Sequence, residues 1–195
     1  MAPPIHDGGM PRTLQPVLSD ADLPVAELWA ARIDGELFRL GDCFTPIDEV
    51  EQPSHRARAV FSATSDFAAH RGRLIAEQLS AAWIWGATGA PPVRHQFCVA
   101  MASRTGRDLP RSISLREVVI EDCDIVILGG CRVTTALRTI IDLARFSETF
   151  EGQDARAVSS LMHLSGITLE SSVEQMNSRR NLPGKHRAIQ RLSRC

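Results

Sequence analysis

The stretch "GGCRVTTALRTIIDLARF", residues 129–146, decides the reading of the fold. Its two glycines close the apolar run "DIVIL" (124–128), so the order is strand end, turn, helix start. Thr134 and Thr135 stand where the helix begins. A threonine hydroxyl there accepts a hydrogen bond from a free helix N–H, so either residue is expected to act as the cap. Leu137, Ile140, Ile141, Leu143 and Ala144 form one broad apolar face on a helix running to about Phe146. Arg138 and Asp142, four residues apart, are expected to pair. The segment "LGGCRVTT" matches neither G-x-G-x-x-G nor G-x-x-x-x-G-K-[ST], so the junction reads as a capped core helix and not as a phosphate loop.

Upstream, "HQFCVAM", "LREVVI" and "DIVIL" are three short strand candidates rich in β-branched and aromatic residues. Before them, apolar residues from Ala69 to Trp85 (Leu74, Ile75, Leu79, Ala82, Trp83) recur at helical spacing, which predicts a helix stopped by Gly86. Residues 17–34 read as a helix capped by Ser19 or Asp20, with Pro24 in its first turn and Gly35 at its end. "ELFRLGDCFTPI" reads as a hairpin turning at Gly41-Asp42. Downstream, "GQDARAVSSLMHLSG", "TLESSVEQMNSR" and "PGKHRAIQRLSR" are three further helices, with Thr168 capping the second. The expected class is α+β. A disordered tail (1–16) precedes a degenerate winged-helix-like part (17–52), and a small mixed sheet packed by several helices, with a helical C-terminus, occupies 53–195.

The chain has 195 residues, 44% of them hydrophobic and 23% charged. That suits a soluble globular protein with a real core. No apolar run approaches the roughly 18 residues that span a bilayer. The opening "MAPPIHDGGMPR" lacks the basic and apolar regions of a signal peptide. The five cysteines are widely spaced and show no metal-binding pattern, so a reducing cytoplasm, and cysteines serving mainly as small buried residues, are expected.

Charge is unevenly placed. Residues 175–195 hold Arg179, Arg180, Lys185, Arg187, Arg191 and Arg194 and no acid, a net +6, against −7 for the rest. Lys185, His186 and Arg187 stand at a predicted helix N-terminus, and Arg187, Arg191 and Arg194 share one helix face. This cluster reads either as a solvated face or as a contact surface for phosphate, nucleic acid or an acidic protein. Arg132, Arg138 and Arg145 are expected to extend it. "EDCDI" (121–125) reads as a turn; as a strand, it would set Asp122 and Asp124 on one side, the arrangement that holds magnesium in nucleotidyltransferases. None of the protein-kinase, serine-hydrolase or zinc-protease motifs is present. The first helix carries Asp20, Asp22, Glu27 and Asp34 against Arg32 alone, which suits DNA phosphates poorly.

Three segments together resemble the AbiEi family of antitoxins from type IV toxin–antitoxin systems, in its actinobacterial form. They are "RLIAEQLSAAWIWG" with its Ala-Ala-Trp-x-Trp-Gly, "CRVTTALRTIIDLARF", and "SRRNLPGKHRAIQRL" with its Pro-Gly. A degenerate N-terminal helix and wing extends the resemblance over residues 17–194. The resemblance implies a partner, a nucleotidyltransferase-like toxin, which this chain would neutralise. It also implies two alternatives: an atypical serine protein kinase that phosphorylates the toxin, and an autorepressor that binds promoter DNA. For neutralisation by contact, Arg179, Arg180, Lys185, His186, Arg187, Arg191, Arg194 and Arg138 are the candidate partner- or phosphate-binding residues. For the kinase, which would need ATP and magnesium, Lys185 would hold nucleotide phosphates and Asp142 or Asp154 would be the base or metal ligand.

Overall fold

The computed structural model describes residues 16–64, 72–101 and 110–195. The expected N-terminal tail, but for Pro16, lies outside these residues.

The N-terminal part folds as expected in kind. Helix α1 (Val25–Ile33) is followed by β1 (Leu37–Leu40) and β2 (Cys43–Pro46), an antiparallel hairpin turning at Gly41-Asp42. The helix starts later than expected. Ser19 forms a tight turn with Asp22 instead, and Pro24 takes the N-cap position without a side-chain bond. A bridge from Leu18 to Phe44 ties the approach strand to the hairpin. Leu28, Leu18 and Phe44 make a small core of their own. Val17, Leu40 and Cys43 join the main core beneath α2 (Pro53–Ser62).

The main sheet has five strands in the order β5-β4-β3-β7-β6. They are β3 (Ile75–Ala76), β4 (His95–Ala100), β5 (Ile113–Val118), β6 (Ile125–Leu128) and β7 (Cys131–Thr134). Strand β3 pairs antiparallel with β4 and parallel with β7, β4 is parallel to β5, and β6–β7 is an antiparallel hairpin. The helix expected from Ala69 to Trp85 is therefore broken. Leu74, Ile75 and Ala76 are buried, Ile75 and Ala76 as the central strand of the sheet, and among the described residues of that span only α3 (Gln78–Ile84) is helical. A short apolar run buried on every side carries no period that separates strand from helix. Strand β7 is a second departure: "CRVT" pairs with β6 before the helix begins.

Helices α4 (Ala136–Phe146), α5 (Gln153–Ser165), α6 (Leu169–Ser178) and α7 (Lys185–Leu192) follow. Thr135, not Thr134, caps α4, accepting from the Arg138 N–H at 3.2 Å. Thr134 ends β7, with its hydroxyl 2.7 Å from that of Thr139. Thr168 caps α6 through a reciprocal box with Ser171, and Gly166 ends α5 in the left-handed conformation. Ile140, Ile141, Leu143 and Ala144 of α4 meet Ala157, Val158 and Leu161 of α5, Met176 of α6, and Ala188 and Leu192 of α7 in a second apolar core. Every residue of α4 from Arg138 to Arg145 is buried, so this helix is the axis of the C-terminal half and not a half-exposed one. Among the described residues, no helix is long and apolar enough to cross a membrane.

Candidate functional site: a buried ion-pair chain and its arginine-lined cleft

A helix buried all round must neutralise any charge it carries, because an unpaired charge in a protein interior costs several kcal/mol. The polar residues of α4 do this among themselves and with two distant segments. Arg138 Nε donates to Asp142 Oδ2 at 2.7 Å, as the four-residue spacing predicts. Arg138 Nη1 donates to Asp124 Oδ2 at 2.6 Å, and Nη2 to the Val119 carbonyl at 3.2 Å. Arg145 Nη1 reaches the other oxygen of Asp142 at 3.1 Å, and its Nε donates to the Pro183 carbonyl. Arg179, at the end of α6, donates to the second oxygen of Asp124 at 2.5 Å. The chain Arg145–Asp142–Arg138–Asp124–Arg179 thus joins α4 to the turn before β6 and to the α6–α7 loop.

"EDCDI" is a turn of 3-10 helix at Asp122–Asp124, not a strand. Asp122 is exposed while Asp124 is buried in the ion-pair chain, so the two carboxylates do not converge on a metal. No cluster of metal-ligating side chains occurs among the described residues. Burial drives the Asp124 carboxyl upward, but the Arg179 hydrogen bond, the Arg138 charge and the amide within its own turn outweigh it and hold it below the usual carboxylate range. Burial likewise works against the charge on Arg138, and Asp142 and Asp124 overcome it. Arg145 is the less compensated member: burial, then the like charges of Arg138, Arg116 and Arg179, push its guanidinium down against the pull of Asp142.

A second pair lies beside the chain. Glu77, buried at the start of α3, accepts from Arg116 of β5 through both oxygens, at 2.7 and 2.6 Å. Burial still leaves its carboxyl above the ordinary value despite Arg116. The Arg116 and Arg145 guanidiniums both stack on the Phe146 ring, at 4.3 and 4.4 Å from its centroid. Together with Arg179, Arg180 and Leu182 they line a cleft of about 660 Å³. Glu117 and Glu121 also line it, so the cleft carries both signs of charge.

The cationic C-terminal segment divides into structural and exposed members. Arg187 donates to the Arg145 carbonyl, and Arg191 donates to the carbonyls of Ala144, Ser147 and Glu148. Both therefore cap the C-terminus of α4, where the unpaired carbonyls and the helix dipole favour a cation. Arg179 is bound to Asp124. Arg180, His186 and Arg194 are exposed, and Lys185 is half-buried. The basic surface expected to run on through Arg138 and Arg145 does not exist: both side chains are buried within the ion-pair chain, and only Arg132 is even partly exposed. Lys185, Asp142 and Asp154 stand on three different helices, α7, α4 and α5. Asp142 is enclosed by two arginines, and Asp154 of α5 accepts from the Ser147 hydroxyl at the end of α4.

The residues that carry the family resemblance hold one another in place. Trp85 Nε1, from the Ala-Ala-Trp-x-Trp-Gly segment, donates to the Thr134 carbonyl at 2.9 Å. Arg145 of the central segment donates to Pro183 of the last at 2.8 Å. The sequence singles out neither Glu77 nor Arg116, and it offers Asp124 only beside Asp122 as a possible metal-holding pair. Their only signal in the sequence is a charge within or beside an apolar run, which shows burial but not the partner.

No family model matches the chain, and no curated protein matches it. Among solved structures, the crystal structure of the RV2827C protein from Mycobacterium tuberculosis is similar to it, with 17% sequence identity and a TM-score of 0.47 over 92% of this chain and 71% of that one.

Proposed function

We propose that this chain is an antitoxin that neutralises a cognate nucleotidyltransferase-like toxin, that it does so by direct contact, and that it works in the cytoplasm. The resemblance over residues 17–194 supports the class. The observation that favours contact over phosphoryl transfer is the fate of the two candidate catalytic carboxylates. Asp142 is committed to Arg138 and Arg145, and Asp154 to Ser147, while Lys185 belongs to a third element. A kinase needs its base, its metal ligand and its phosphate-holding cation at one reacting centre. Asp142 and Asp154 serve the fold at separate junctions instead, and Lys185 stands on another helix.

The deciding experiment mixes purified toxin with this chain, magnesium and ATP. The toxin is then weighed intact and the mixture run on a sizing column. An unmodified toxin co-eluting with the chain supports neutralisation by contact. A toxin heavier by one phosphate, unbound and inactive, would replace this reading with the kinase.

A further inference from the structure

The buried chain Arg145–Asp142–Arg138–Asp124–Arg179 sets three guanidiniums against two carboxylates, so it holds one positive charge that no acid within it answers. The neighbouring Glu77–Arg116 pair balances itself and leaves that excess in place. The arginines also keep unused donors. Arg145 Nη2, Arg116 Nη1, and Nε and Nη1 of Arg179 donate to no group among the described residues. Arg145 is the telling case, because its side chain is only 5% exposed and yet lines the cleft. A charged donor taken out of water without an acceptor is costly, so such a gap calls for a partner. Burial and the like charges of Arg138, Arg116 and Arg179 already work against this guanidinium, which an anion beside it would relieve. Exposed Arg180 lines the same cleft and makes no ion pair among the described residues.

The two acids of the cleft do not fill the gap. Glu117 follows Arg116 along β5, so its side chain leaves the opposite face of the sheet. Glu121 is exposed and accepts from the Cys123 thiol at 3.6 Å. The unused donors belong to three guanidiniums on three elements, α4, β5 and the end of α6. A carboxylate has two oxygens and is satisfied by one guanidinium fork, whereas a phosphate monoester offers three strong acceptor oxygens. The cleft also has an apolar side, made by Met101, Val119 and Leu182, of which the first two are exposed. We infer that this cleft binds the phosphate monoester of a small molecule, with its phosphate on the unused donors of Arg145, Arg116 and Arg179 and its organic part along Met101, Val119 and Leu182. Arg180 stands ready as a further, exposed cation. The bound anion neutralises the excess charge of the chain and ties α4, β5 and the α6–α7 loop to one another. This site rests on no part of the antitoxin reading.

The test titrates the full chain with phenyl phosphate, inorganic phosphate and benzoate, following arginine side-chain N–H resonances by NMR and heat by calorimetry. Phenyl phosphate is expected to bind saturably and more tightly than inorganic phosphate, with benzoate weakest, and to shift the signals of Arg145, Arg116 and Arg179. Arg145→Lys keeps the charge but loses the fork, and should weaken phenyl phosphate about tenfold. Arg180→Gln changes an exposed side chain that holds no other element, and should weaken it about threefold. Arg156→Gln, an exposed arginine of α5 outside the cleft, should bind like the unaltered chain. If Arg145→Lys does not fold, the resonances of the unaltered chain and Arg180→Gln still decide. Absence of saturable binding overturns the inference, as do shifts confined to arginines outside the cleft. Benzoate binding as tightly as phenyl phosphate overturns the phosphate assignment. A chain that ignores phenyl phosphate but moves the same resonances with a DNA duplex overturns the small-molecule site in favour of nucleic acid. None of these outcomes bears on whether the chain binds a toxin.

Discussion

Arg138 of α4 and Asp124 of the turn before β6 meet at 2.6 Å with both side chains buried. Asp124 also holds Arg179, so one carboxylate serves two guanidiniums from different elements. Removing it leaves two buried charges short of a partner, whereas removing Arg179 leaves Asp124 still paired. Asp124→Ala is expected to destabilise the protein by about 3–5 kcal/mol. Arg179→Ala is expected to cost roughly 1.5–3 kcal/mol, the range for one charged hydrogen bond. Urea unfolding of the two variants checks the order.

The same carboxylate gives an acid limit to stability. Its folded value lies below the ordinary one of about 3.9. Its contribution is therefore full above that ordinary value and is lost as pH falls through the folded one. His95 acts earlier. Burial lowers its imidazole below the usual value, against a weak opposing pull from Asp42, and its Nδ1 has no hydrogen-bond partner. Below about pH 6.5 the unfolded chain takes up a proton that the folded chain refuses, so stability falls with pH there. Glu77, raised by burial, has the opposite slope in the carboxylate range. Subtracting the stability profile of His95→Gln from that of the unaltered protein isolates the histidine. The difference should open below about pH 6.5 and close above it. A flat difference would show that His95 titrates normally.

The turn between β6 and β7 distinguishes two adjacent glycines. Both have positive φ, at 57° for Gly129 and 82° for Gly130. A Cβ at Gly129 would lie 2.8 Å from the Ser54 carbonyl oxygen and 3.0 Å from Arg58 Nε, while one at Gly130 would meet open space. Gly130→Ala should cost only the left-handed strain, about 1–2 kcal/mol. Gly129→Ala should cost more, because the α2 backbone must move. Comparing their melting temperatures tests the difference.

Much of this architecture was legible in residue pattern. Thr135 and Thr168 as caps, Gly41-Asp42 as a hairpin turn, and the Arg138–Asp142 pair all follow from local chemistry at fixed spacing. What was hidden depends on tertiary contact. Ile75 and Ala76 look helical because their neighbours in sequence share a helical stripe, and only insertion between β4 and β7 makes them a strand. The arginines of α4 and α7 look like a solvated face on a helical projection. The projection cannot show that Asp124, Pro183 and the carbonyls ending α4 lie against them. In the candidate site, spacing exposed the local Arg138–Asp142 pair and concealed the long-range ones.

Arg191 tests whether the cationic C-terminal helix braces the core. Its guanidinium donates to the Ala144 carbonyl at 3.0 Å, to Ser147 at 2.8 Å and to Glu148 at 3.2 Å, and it lies over the Phe150 ring at 5.2 Å. A bracing role predicts that Arg191→Ala destabilises the protein by about 1.5–3 kcal/mol, with Arg191→Lys recovering only part because one ammonium cannot span three carbonyls. Amide exchange should accelerate first for residues 144–148, whose carbonyls lose their donor, before α5 or the sheet opens. A partner-contact role predicts the reverse: unchanged stability and exchange in Arg191→Ala, with weaker binding to the toxin. Measuring unfolding and exchange on the isolated chain separates the two without the partner.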